Sequence, residues 1–339
     1  MRYGDTVRKI VHAVLEKGMV DEVLAFVPGI DERDVVPAFI TDAADAVKIT
    51  AASYQPYSLV SILADYGDKG KKIGLVVRSC DARGVIELAK RNQVNRDDIY
   101  LIGIECYGTV NPANAKEGEV YIFHDGMEVE GKKEALDESL LSANCRRCGY
   151  PIPSMADISC AIDGDGATAN TPKGEEILAA ANLKSQGSTV DASAIKERAA
   201  RWQDKDFPDL ETDRQERLDY WLRQFDKCIK CYGCRNVCPL CYCKDCALDA
   251  DRVWVERGRT PPPRLFHLTR LMHIADSCLN CGQCEAVCPM EIPLTRLYHQ
   301  LHNELRSIFN YEAGINIDDA LPLGTFTEEE TKAGGVELG

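Results

Sequence analysis

Cys228-Ile-Lys-Cys231-Tyr-Gly-Cys234-Arg-Asn-Val-Cys238-Pro239 recurs downstream as Cys278-Leu-Asn-Cys281-Gly-Gln-Cys284-Glu-Ala-Val-Cys288-Pro289. Both stretches read C-x2-C-x2-C-x3-C-P, the bacterial spacing for a pair of [4Fe–4S] clusters. Three cysteines at i, i+3 and i+6 on a tight loop wrap one cube and supply three thiolates. The fourth, sent off by the x3 spacer and the proline, ligates the other cube. The spacing therefore predicts Cys228, Cys231, Cys234 and Cys288 on one cluster, and Cys278, Cys281, Cys284 and Cys238 on the other. A structural zinc site is the alternative, but two C-x2-4-C pairs satisfy it. Here the third cysteine, the fourth cysteine and the proline all occur twice.

The rest of the chain bounds what such a unit serves. Its 339 residues suffice for two or three domains. A net charge of −14 argues against nucleic acid or an anionic membrane as the main partner. No apolar run reaches the length of a membrane span, and Met1 to Asp5 has no secretory pattern. Sixteen cysteines in a chain this long point to thiolates reserved for metal rather than to disulfides. The expectation is a soluble protein in the reducing cytoplasm of an anaerobe.

Upstream, periodicity alternates. Val7, Ile10, Val11, Val14 and Leu15 mark an amphipathic helix over 5–17, followed by a strand over 20–27 that stops at Pro28-Gly29. A helix over 58–66, a buried strand over 73–77, a helix over 81–91 and a strand over 99–104 come next. This alternation predicts an α/β domain with parallel pairing. A hairpin around Asp125-Gly126 is expected over 120–129. The turn-rich Asp163-Gly164-Asp165-Gly166 opens a segment read as irregular, then helical over 191–226. Pro261-Pro262-Pro263 precedes a helix over 264–276, and a last helix is expected over 295–311. With helices flanking each motif and a long gap between Cys238 and Cys278, an α-helical dicluster ferredoxin domain fits better than a compact one. The domain expectation is 1–165 α/β, 166–226 linker, 227–311 helical cluster domain and 312–339 an acidic tail containing Glu328-Glu329-Glu330.

Five more cysteines fall in the α/β part: Cys80 in Val-Arg-Ser-Cys80-Asp-Ala-Arg-Gly, Cys106 in Gly-Ile-Glu-Cys106-Tyr-Gly, Cys145 and Cys148 in a C-x2-C pair, and Cys160 in Ala-Asp-Ile-Ser-Cys160. Cys80 and Cys106 follow apolar strands, where open α/β sheets place their sites. A lone cysteine there is usually a small buried hydrophobe; two of them beside a C-x2-C pair suggest a cluster.

These motifs, in this order over residues 5–165, resemble the beta subunits of coenzyme F420-reducing hydrogenase and F420-dependent formate dehydrogenase. The resemblance implies an α/β domain that holds a flavin, FAD, and a [4Fe–4S] cluster, and exchanges hydride with a deazaflavin. Carried over by position, Cys80, Cys106, Cys145 and Cys148 become ligands of a third cluster, with Cys160 in reserve. The chain departs from the family at Tyr3-Gly4-Asp5-Thr6, where a glycine pair is common, and at Arg78-Ser79-Cys80, where Gly-Thr-Pro-Cys is usual. Arg78, Arg83, Lys71 and Lys72 are candidate grips for a flavin diphosphate; the alternative for each is a solvated base at the sheet's end.

Cys241, Cys243 and Cys246 follow the first motif directly, as further ligands or as thiols beside the sulfur-rich site. The histidines, among them His267, His273, His299 and His302, read as packed or surface residues. Taken together, the expectation is an iron–sulfur, flavin-containing electron-transfer subunit within a hetero-oligomer. It would bridge a catalytic dehydrogenase or hydrogenase subunit and a heterodisulfide-reductase-like flavin/iron–sulfur subunit. The rivals are a self-sufficient F420-dependent oxidoreductase and a flavin-free polyferredoxin-like wire.

Overall fold

The computed structural model describes the chain except residues 1–4, 31–34, 51–57, 67–69, 112–113, 117–118, 120, 124–125, 130–131, 162–165, 189, 208–212, 250–262 and 327–339. Tyr3-Gly4, Asp125, Asp163-Gly164-Asp165, Pro261-Pro262 and Glu328-Glu329-Glu330 therefore lie outside the described residues.

A six-stranded sheet runs in the order β2 (Val35–Ile40), β1 (Glu22–Pro28), β3 (Ile73–Val77), β4 (Ile99–Ile104), β8 (Ile158–Cys160) and β9 (Ala167–Ala169). The four central strands are parallel, and β2 and β9 close the edges antiparallel. Alternation along the strands feeds two cores, as a sheet buried on both faces requires. Val23, Ala25, Tyr100, Ile102 and Ile104 meet Val7, Ile10, Val11 and Val14 of α1 (Asp5–Glu16), with Ile177 and Leu178 of α5 (Pro172–Ala180). On the other face Leu24, Leu75 and Leu101 meet Leu59 and Leu63 of α2 (Leu59–Tyr66), and Val85 and Leu88 of α3 (Ser79–Lys90). Leu279, inside the second cysteine motif, and Leu240, directly after the first, join that second core. The motif region is thus packed directly against the sheet's helical layer.

A separate three-stranded meander, β5 (Tyr121–Phe123), β6 (Met127–Val129) and β7 (Lys132–Glu134), extends the expected hairpin by one strand. The cysteine-bearing unit is helical: α7 (Arg214–Asp226), α8 (Gly233–Asn236), α9 (Pro263–Ile274), α10 (Gln283–Ala286) and α11 (Leu294–Phe309). Phe225, Phe266, Ile274, Leu294 and Tyr298 form its core, with Cys228, Cys234, Cys278 and Cys284 packed against them. Two more helices, α4 (Ala143–Arg146) and α6 (Ala192–Asp206), pack on each other, and α4 also meets α11.

Two segments differ from the expected division. β9 and α5 sit beyond residue 165 yet complete the α/β core, because Ile177 and Leu178 have α1 to pack against. The start of the tail is docked against α3 rather than set apart from the fold. The Gly314 N–H and the Tyr311 hydroxyl donate to buried Glu87 Oε1, each at 2.7 Å, and Ala313 is buried. Strand β2 was not anticipated; its Pro37 hides the pattern and is tolerated because the strand is an edge.

Candidate cysteine-lined site

The two motifs curl in the same way. Lys230 and Tyr232 in the first, Asn280 and Gly282 in the second, all have φ between 55° and 83°. These left-handed residues flank the second cysteine of each motif and turn the chain round a hollow. They also aim backbone N–H groups at sulfur, as when Lys230 donates to Cys228 Sγ at 3.3 Å. One hollow, the outer one, is lined by Cys228, Cys231, Cys234 and Cys288 with Phe266 and Ile292. The inner one is lined by Cys238, Cys278, Cys281 and Cys284 with Arg270 and Tyr298. Each takes three cysteines from one motif and the last from the other. Among the described residues, no three Cys, His, Asp or Glu side chains converge as ligands of a single ion would.

A third and larger cavity, about 410 Å³, opens at the carboxyl ends of β3 and β4. Cys80, Cys106, Cys145 and Cys148 line it together, and Cys281 of the inner set reaches its wall. Cys80 stands in the first turn of α3, which is fixed by Asp81. That carboxylate accepts from the Arg78 backbone at 3.4 Å, from Arg78 Nε at 3.1 Å and from Ser58 Oγ at 2.8 Å. Cys145 lies within 3.3 Å of Thr109 Oγ1. Cys160 is elsewhere, buried in the core between the sheet and α1, and lines none of these hollows.

The candidate phosphate grips separate. Arg78 and Arg83 line the large cavity, whereas Lys72 precedes β3 and Arg78 follows it, roughly 20 Å apart at the strand's rise. Lys71 faces Glu22 at 3.4 Å. Neither lysine shares a site with the arginines. Arg78 is held by Asp81, and Arg83 donates to the Ala313 carbonyl at 2.8 Å, pairs with Glu312 and lies 4.4 Å over Tyr150. The cavity's other wall carries Lys196, Arg198, Arg147 and Arg306, with His299 and His302.

Burial dominates the electrostatics. It pushes the Cys106 thiol up to about 12 against the pull of Arg78, and the Cys278 thiol up to about 11. Cys80, Cys148 and Cys281 are raised for the same reason. Cys238 goes the other way, because Cys241 hydrogen-bonds to it and Arg270 stands near; Cys241 is raised in return. Without metal the raised thiols stay protonated at neutral pH, whereas Cys238 does not, so metal entry must release the protons of the raised ones. His299, desolvated and beside Arg147, falls to about 3, so it is neutral at neutral pH.

Sequence reading missed Arg198 and Arg270, and read His299, which is buried at the cavity wall, as a packed or surface residue. The signal for Arg270 was present: it falls on the Phe266, His267, Ile274 stripe of α9, a charge on a buried face. Arg198 similarly shares its face of α6 with Ile195 and Ala199.

Fold and site together define a class: an α/β subunit whose thiols gather in fours at the mouth of its sheet and in a helical unit behind it. The chain belongs to the family of F420-dependent formate dehydrogenase beta subunits. It is 33% identical to the F420-dependent formate dehydrogenase subunit beta of Methanocaldococcus jannaschii, over 94% of this chain and 93% of that one. It is 35% identical to the F420-dependent formate dehydrogenase 1 subunit beta of Methanococcus maripaludis, over 94% and 92%. Among solved structures, a chain of the F420-reducing [NiFe] hydrogenase complex from Methanosarcina barkeri aligns with 59% of this chain and 83% of its own. The TM-score there is 0.44 and the identity 16%. No protein-family model matches.

Proposed function

We propose that this chain is the electron-transfer subunit of a cytoplasmic formate dehydrogenase- or hydrogenase-type complex. In this reading it carries three [4Fe–4S] clusters and FAD, and serves a deazaflavin as two-electron carrier. The observation that carries the proposal is the series of hollows. Cys80 and Cys281 are electrostatic neighbours, as are Cys284 and Cys234, so the large cavity, the inner set and the outer set follow one another through the protein. A relay needs that order, and the two full-length relatives supply the reaction type.

The residue roles follow. Cys228, Cys231, Cys234 and Cys288 hold the outer cluster; Cys238, Cys278, Cys281 and Cys284 hold the inner one. Cys80, Cys106, Cys145 and Cys148 hold the third, with the Arg78 cation stabilising thiolate at Cys106. A cavity of about 410 Å³ lies within the usual range for a small-ligand site. When bound, FAD supplies the exchange between a hydride pair and single electrons. Lys196 and Arg198 receive its anionic part, since Arg78, Arg83 and Arg306 already have carboxylates. Neutral His299 lines the same wall with an unpartnered Nδ1 and offers a hydrogen bond without a charge. The helical unit, with α7 to α11 and the docked tail, presents the far end to a catalytic subunit or a heterodisulfide-reductase-like partner.

The isolated chain should reduce dyes poorly with formate or hydrogen and gain activity on reconstitution with its catalytic subunit. Full activity of the lone monomer with a soluble donor overturns the subunit reading. The engagement of both Arg78 and Arg83 favours a second reading, a flavin-free wire. Cluster extraction separates the two, because flavin absorbance persists and a wire leaves none.

A further inference from the structure

Arg270, on α9, is 1% exposed. Its Nη1 donates to the Tyr298 hydroxyl at 2.7 Å and its Nη2 to the Cys234 carbonyl at 3.0 Å. Its Nε has no partner, and among the described residues no carboxylate pairs with it. Three other buried arginines are matched by carboxylates, Arg78 by Asp81, Arg83 by Glu312 and Arg147 by Asp206, whereas Arg198, at the wall of the large cavity, donates to the Tyr107 carbonyl. A buried guanidinium held only by neutral oxygens is strongly unfavourable, because desolvation is not offset by an opposite charge. The ionisable groups facing Arg270 are Tyr298, His267 and the thiols of Cys238, Cys241, Cys278 and Cys284, with Cys234 of the outer set also within its field. Tyr298 is itself raised by burial and stays a neutral phenol. The compensating anion is therefore sulfur. Arg270 lines the inner hollow with Cys238, Cys278, Cys281 and Cys284 and does not line the outer one.

We infer that Arg270 is the positioning residue for the inner four-cysteine site, a fixed counter-charge that sets how readily that site accepts an electron. The inference rests on the proposed cluster at that site. Reduction of the oxidised cluster adds one negative charge and breaks no bond, so a permanent cation at its wall favours the reduced form. Removing the cation must lower the reduction potential, more at the inner site than at the outer.

The test is a redox titration of the whole, anaerobically purified chain, with dithionite as electron donor and paramagnetic resonance as readout. Iron is counted in parallel. Wild type, Arg270→Lys and Arg270→Gln are compared. In Arg270→Gln the reduced-to-oxidised ratio of the inner cluster at a fixed potential should fall at least tenfold, equal to 59 mV for a one-electron couple. Arg270→Lys keeps the charge and should stay within about threefold of wild type, a margin well inside that tenfold step. If Arg270→Gln loses the inner cluster while Arg270→Lys keeps it, the charge requirement holds in its stronger form. An unchanged potential in Arg270→Gln, or equal loss of the cluster in both variants, makes Arg270 a packing residue only and overturns the inference. Wild type without an iron–sulfur signal instead defeats the cluster assignment itself.

Discussion

Asn144 donates from its side-chain amide to the backbone carbonyl of Cys281 at 2.8 Å. Asn144 precedes Cys145 of the large cavity, and Cys281 belongs to the inner set, so one hydrogen bond joins neighbouring cysteine sets. The contact is close enough to dictate its neighbour. A Cβ on Gly282 would lie 2.1 Å from Asn144 Oδ1, and Gly282 has φ +83°.

Gly282→Ala should therefore destabilise the chain by about 2–3 kcal/mol, from the left-handed backbone and the lost hydrogen bond. Gly233→Ala is the control, since its Cβ would meet Val287 Cγ1 at 3.4 Å, an ordinary contact. Denaturant midpoints check both. A double Gly282→Ala/Asn144→Ala variant should recover part of the loss, because the obstructing amide is gone.

Cys231 and Cys243 are the two exposed cysteines. Cys231 belongs to the outer set and Cys243 to none. In the iron-loaded protein a maleimide should modify Cys243 quickly and Cys231 only after chelation strips the metal. Mass mapping of the adducts checks this; rapid modification of both in loaded protein removes Cys231 from the ligand set.

Cys238 lines the inner hollow and Cys241 does not, although their thiols interact. Cys238→Ser should abolish the inner cluster's resonance signal. Cys241→Ala should leave that signal in place and shift it slightly, since a hydrogen bond to a ligand sulfur is lost. Loss of a whole cluster in Cys241→Ala would reverse the two roles.

Much of this site was legible because metal spacing is local. The two C-x2-C-x2-C-x3-C-P runs carry their left-handed turns within a few residues, and the cysteines that line each hollow are the ones the spacing groups. The separation of Lys72 from Arg78 was legible in the strand expected over 73–77, which stands between them. What lay hidden depends on distant packing. Nothing in Glu312 announces that it will meet Arg83, His302 and Arg306 across the fold. The division at residue 165 failed for a similar reason: α5 has only a weak stripe of its own and is held by the face of α1.

Acid should destabilise the protein through His299. Burial, with Arg147, lowers its pKa from 6.5 to about 3. A depressed folded pKa means that its stability contribution is complete above pH 6.5 and is lost as pH falls toward 3. From pH 6.5 to 5 the loss is about 2 kcal/mol, at 1.36 per pH unit. His299→Asn should flatten that slope in pH-dependent denaturant midpoints; an unchanged slope assigns the acid sensitivity to other groups.

The most direct measurement for the relay is the iron and acid-labile sulfide content of freshly purified, anaerobic protein. Three four-cysteine sets predict about twelve irons per chain, four for each cubane. About eight would remove the cluster at Cys80, Cys106, Cys145 and Cys148 and leave the helical pair. Fewer than about six, below two cubanes, contradicts the relay as a whole.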